Sequence, residues 1–155
     1  DEDPYADALI QMWRENLGLN IQPFNEEWKV YLKSEKSMDF QILRAGWVGD
    51  YLDPNTFLDM FLTGGGNNNT GWSNAEYDGL IRAAAREQDA EKRFEILKNA
   101  EAILIEDQPI IPLYFYVYDF IMKPYLKGVY GNPLENHNFK YAYIDEEEMK
   151  EYYKQ

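Results

Sequence analysis

At 155 residues, 45% hydrophobic and 16% aromatic, the chain has the size of one ordinary domain and is too apolar to stay disordered. Twenty-eight acidic residues against 15 basic ones leave a net charge of −13, which repels phosphate backbones and argues against a nucleic-acid partner. Cysteine is absent, which excludes disulfides, thiolate zinc sites and a cysteine nucleophile.

The first element is a helix, with Asp3 as its cap, Pro4 in the first turn, and Leu9, Ile10, Trp13 and Leu17 on one face before Gly18. LNIQPF (19–24) alternates apolar and polar residues like a half-buried strand, and Asn25 is the candidate cap of a second helix through EEWKVYLKSEK. Trp28, beside Tyr31 and Leu32 on that helix, reads as plain core packing. DFQILRAGW (39–47) predicts a central strand that turns at Gly49. Asp53–Pro54 opens a short helix over 56–62.

TGGGNNNTG (63–71) reads as a flexible loop. Ser73 and Glu76 have capping-box spacing for a helix carrying Tyr77, Leu80, Ile81 and Ala84. Asp89 caps a longer helix whose buried side is Phe94, Leu97, Ala100 and Leu104. IIPLYFYVY and the residues to Met122 predict one or two strands. The chain beyond Lys123 is irregular and ends in an acidic tail, 145–155, with the composition of an exposed helix. Alternating strands and helices predict an α/β layered domain with a parallel or mixed sheet. Because the chain opens on a helix, an earlier segment is expected before it. The acidic start shows no targeting pattern, and Pro109–Val117 is too short to span a bilayer.

Asp50, between Gly49 and Tyr51 at a strand end, stands where open α/β sheets bind ligands. Two readings are open from spacing alone: a carboxylate that pairs with a ligand ammonium, or a turn aspartate bonded to its own backbone or to Arg44. Trp47, Trp72 and Tyr114–Tyr118 are flat walls of a pocket or core packing. Catalytic signals are weak. His137 is the lone histidine with no nucleophile beside it, and Asp53, as a helix cap, makes a poor acid partner for Asp50. Asp50, Asp53, Asn55 and Asp59 do not match a calcium loop, and GGGNNNTG lacks the lysine of a phosphate loop. No catalytic residue, metal site or cofactor is assigned.

Together, LGLNIQPFNEEWKVYL, DFQILRAGWVGDYLDPNTFLDMF, EYDGLI, AEAILIEDQPIIPLYFYVY and KPYLKGVYGNPLEN resemble the carboxyl-terminal lobe of the oligopeptide-binding proteins that serve bacterial ABC importers, the family 5 extracytoplasmic solute-binding proteins. The resemblance implies one α/β lobe, residues 1–155, of a type II periplasmic-binding-protein-like fold with a mixed sheet flanked by helices. It implies a binding protein that is not an enzyme. Asp50 would anchor the peptide's α-ammonium, Arg44 would be a cation near the cleft, Ala45, Gly46, Trp47 and Val48 would offer backbone to the peptide, and Trp47 and Tyr116 would wall side-chain pockets. A basic residue that some members carry just before this strand is not matched, since Glu35 and Lys36 stand there.

The implied partners are an oligopeptide, the missing amino-terminal lobe and the permease subunits of an ABC transporter. The implied location is extracytoplasmic, in the periplasm or lipid-anchored at the outer face of the membrane. The isolated lobe is expected to bind peptide weakly and to self-associate through open sheet edges. Two other functions compete: binding of a carbohydrate or other small solute on Trp47 and Trp72, and hydrolysis by Asp50 with Asp53.

Overall fold

The computed structural model describes residues 4–132, 134 and 137–154, and the chain divides into two compact units, Asp1–Leu43 and Arg44–Gln155. The first unit holds α1 (Pro4–Leu17) and α2 (Trp28–Ser37). The expected cap Asp3 lies outside the described residues. Leu9, Ile10 and Trp13 are half-buried, as their shared helix face predicts, while Leu17 is exposed. The cap of α2 is Glu27 rather than Asn25: its carboxylate accepts the Lys29 N–H at 3.0 Å. Trp28 is not core. It is 66% exposed and stacks on Tyr31, one turn along the same helix, at 5.2 Å.

The second unit is built on a helical hairpin. Here α3 (Asn55–Leu58) runs into a 3₁₀ turn, Asp59–Phe61, followed by α4 (Ala75–Ala84) and α5 (Ala90–Asp107). The core is Leu58, Phe61, Tyr77, Ile81, Ala84, Leu97, Ala100 and Leu104. Those on α4 and α5 follow the 3.6-residue spacing. Phe94, expected among them, is 57% exposed. Asp89 caps α5 through the Lys92 N–H, as its sequence position predicts. At α4 the cap is Asn74, whose side-chain oxygen accepts from both Glu76 N and Tyr77 N, so the Ser73 capping box is not the one used.

The loop before α4 is braced rather than loose. Asn68 Nδ2 donates to the carbonyls of Phe61, Leu62 and Trp72 at 3.0–3.1 Å, and its Oδ1 accepts from the amide and hydroxyl of Thr70.

The sheet among the described residues is two-stranded and antiparallel: β1 (Leu126–Lys127) pairs with β2 (Tyr143–Ile144), Leu126 opposite Ile144. The strands expected at 19–24, 39–47 and 110–122 form no ladder among those residues, so the mixed sheet is not seen there. Alternating apolar side chains mark a segment suited to pairing, but a strand also requires a neighbour's backbone, which no local pattern supplies. The acidic end does form a helix, α6 (Glu146–Tyr152), capped by Asp145. It is tied back by Lys127 to Glu148 at 2.5 Å and by Tyr125 to Tyr153 at 3.0 Å.

Candidate functional site

Within the second unit, Arg44–Asp50 leads into the turn before α3. Arg44 Nη2 donates to the hydroxyls of Tyr114 and Tyr116 at 2.8 and 3.3 Å. Tyr114, Tyr116 and Tyr118 form a row of ring contacts, edge-on between the first two and stacked between the last two. Residue 46 lies against this row: a Cβ on Gly46 would stand 3.3 Å from the Tyr116 ring. The hydrogen bond to Tyr114 raises the Tyr116 hydroxyl above its ordinary value of 10, burial adds to the rise, and the Arg44 charge opposes it. Arg44, Gly46 and Tyr116 are therefore brought together. Ala45 and Val48 are exposed. Trp47 is half-buried, and its indole N–H is enclosed with no hydrogen-bond partner among the described residues.

Asp50 is exposed. Its backbone N–H donates to the Thr56 hydroxyl at 3.0 Å, and its carboxylate meets no cation or donor among the described residues, Arg44 included. Thr56 itself is 1% exposed. Sequence spacing gave no sign of this bond, because a threonine in a short helix has no pattern that names its acceptor role.

Asp53, three positions on, is fully engaged. Arg93 of α5 reaches both of its oxygens at 2.7 and 2.9 Å, and the Asn55 N–H adds a bond of 2.9 Å. Arg93 holds the Asp53 carboxyl below its ordinary value of 3.8, against the opposing effect of burial. An aspartate held in this way is a structural brace and a poor proton donor, so the arrangement gives no support to an Asp50–Asp53 hydrolase. Tyr51, Asn55 and Asp59 form a second small network, with Tyr51 donating to Asp59 Oδ2 at 3.1 Å and Asn55 Nδ2 donating to both.

Trp72 is half-buried against the core. Its ring meets Tyr77 edge-on at 4.9 Å, and its N–H donates to Asp107 at 3.0 Å. These contacts give the sugar-stacking reading no support. His137 is exposed and lies beside the Phe120 ring.

Residues 1–69 match the family described as bacterial extracellular solute-binding proteins, family 5 middle. The chain is 45% identical over 125 residues to the oligopeptide-binding protein OppA of Bacillus subtilis, which covers 80% of this chain and 23% of that protein. Among solved structures it is similar to the murein tripeptide-binding protein MppA of Escherichia coli, at 35% identity and a TM-score of 0.77 over 90% of this chain and 28% of that one. It is also similar to Haemophilus influenzae OppA in complex with RPPGFSPFR, at 34% identity and a TM-score of 0.80, again over 90% and 28%. These likenesses make the fold an α/β lobe of the periplasmic-binding-protein kind. The chain spans about a quarter of the length of the relatives it matches.

Proposed function

We propose the function that follows from one premise: this chain belongs to the family 5 bacterial extracellular solute-binding proteins. It is part of a receptor that captures oligopeptides outside the cytoplasmic membrane and delivers them to the permease subunits of an ABC importer. It binds and performs no chemistry on the peptide.

Asp50 receives the peptide's terminal ammonium. The observation that carries this reading is the contrast at residues 50 and 53: one carboxylate is held on three sides, the other is solvent-facing and without a partner among the described residues. A carboxylate presented in this way gains a charge-assisted hydrogen bond from an incoming ammonium without first breaking an internal ion pair.

Arg44, with Tyr114 and Tyr116, stiffens the segment from Ala45 to Val48, whose backbone groups pair with the peptide main chain regardless of its sequence. Trp47 and Tyr116 bound the side-chain space. Within 109–122, Phe115 and Ile121 are 97% and 98% exposed. A segment of this kind is a surface for the remainder of the receptor to cover.

The test is calorimetric titration of the complete receptor polypeptide with one peptide in two forms, free and acetylated at its amino end. Tight binding of the free form, weakened by acetylation or by Asp50→Asn by about tenfold or more, is expected. Equal affinity for both forms, unchanged by Asp50→Asn, overturns the assignment.

A further inference from the structure

We propose that Thr56 is the positioning residue that aims the Asp50 carboxylate: its buried hydroxyl takes the Asp50 backbone N–H, while its methyl group closes against residue 49. This rests on the ammonium-anchor reading of Asp50 and names the residue through which the fold sets that anchor's place.

Among the described residues the Asp50 side chain makes no hydrogen bond or ion pair, so there it is the backbone that places the carboxylate. Two contacts from one side chain fix that backbone. The Thr56 hydroxyl oxygen lies 3.0 Å from the Asp50 nitrogen, and a Cβ added at Gly49 would come within 3.2 Å of Thr56 Cγ2 and of Phe57 Cζ. Threonine is stiff at χ1 because both Oγ1 and Cγ2 branch from Cβ, so locking one branch orients the other. At 1% exposure it has no other rotamer to visit without disturbing the core.

Thr56 is itself held in place. Its N–H reaches the Asp53 carbonyl at 3.3 Å, and Asp53 is clamped by Arg93 from α5, whose Leu97, Ala100 and Leu104 belong to the core. A continuous path therefore runs from the packed helix through Arg93, Asp53 and Thr56 to the amide of Asp50. Geometry at a charged contact is demanding, and a carboxylate shifted by about 1 Å loses the alignment on which a short ionic hydrogen bond depends.

The measurement is discrimination: the ratio of affinities of the complete receptor for a free-amine peptide and its acetylated form. Thr56→Val keeps the shape and the methyl contact but removes the acceptor. Its ratio is expected to fall by about tenfold, with Thr56→Ser restoring most of it. A purely structural role lowers affinity for both peptide forms alike and leaves the ratio unchanged, which overturns the proposal. A wild-type ratio kept in Thr56→Val, or a serine variant that fails to rescue, does the same. If Thr56→Val does not fold, Thr56→Cys replaces it. Sulfur is a weak acceptor of similar bulk, so the same fall is expected and a retained ratio refutes the idea. A wild-type protein with no discrimination overturns the Asp50 anchor first and this inference with it.

Discussion

Arg93 grips both oxygens of Asp53 across forty positions of sequence, with bonds of 2.7 and 2.9 Å, and so ties the longest helix to the turn that carries Asp50. Both side chains are 28% exposed, which places the pair between a surface ion pair and a buried one. Arg93→Gln is expected to cost about 1 kcal/mol in urea denaturation, and Arg93→Lys somewhat less, because lysine keeps the charge but loses the two-pronged fit. A cost near zero for both would show that the pair does not brace the turn.

The same pair sets an acid limb in stability. Arg93 holds Asp53 below its ordinary 3.8, so in mildly acid solution the unfolded chain takes up a proton that the folded chain refuses. The stabilisation is fully present above the ordinary carboxylate value and drains away as pH falls through the depressed one. The stability gap between wild type and Arg93→Gln is therefore expected to be flat from neutral pH to about pH 5 and to narrow below about pH 4. A gap that widens with acid would contradict the direction of the shift.

What the sequence made legible is what depends on near neighbours. The Tyr77, Ile81, Ala84 stripe and the Leu97, Ala100, Leu104 stripe both lie in the core, because helical spacing depends only on residues three and four apart. Asp50 stood out for lacking a local job. Arg93 did not, since a lone arginine forty positions away carries no mark of its partner. The segment 110–122 shows the other limit: its apolar content marks it for pairing, yet a ladder belongs to two segments at once. Caps failed by one or two residues for a related reason. Asn74 and Ser73 both suit the role, and the choice between them falls to Asp107, which accepts the Asn74 side-chain N–H at 3.0 Å.

Asn68 predicts a graded pair of variants. Its amide group faces three carbonyls, so Asn68→Ala leaves them to water or to nothing, at about 1–3 kcal/mol. Asn68→Asp turns a donor into an acceptor facing those same oxygens and is expected to cost more than alanine. Amide hydrogen exchange at Thr70 and Trp72, whose N–H groups bond to Asn68 Oδ1 and Thr70 Oγ1, is expected to quicken in both variants. An aspartate variant as stable as wild type would show that this loop does not rely on the donor.

Gly128 is expected to resist replacement. Its φ is +76°, and an added Cβ would overlap the Tyr141 carbonyl oxygen beside β2. Gly128→Ala meets both the backbone penalty and a clash with main-chain atoms that cannot swing aside, so a loss above about 2 kcal/mol is expected. It should be read in the docking of α6, through the spectroscopic signature of Tyr125, Tyr152 and Tyr153.

Tyr77 gives a sharper test of the core. The residue is fully buried, and its hydroxyl donates to the Leu58 carbonyl at the end of α3, which links α4 to the helix that carries Thr56. Burial, with the charge of Asp59 acting in the same direction, raises the phenol well above its ordinary value, so it stays a neutral donor across the accessible pH range. Tyr77→Phe keeps the ring and its contact with Trp72 and deletes only the donor, leaving a buried carbonyl unpaired. Such a loss costs about 1–3 kcal/mol, and the cost is expected to be the same at pH 6 and pH 9, because no ionisation intervenes. Above about pH 10 the cost is expected to shrink, because the phenol of the unfolded chain ionises there while the buried one keeps its proton. A cost that stayed constant to about pH 11 would mean that Tyr77 titrates alike in the folded and unfolded chain, and that burial does not hold its proton for the Leu58 carbonyl.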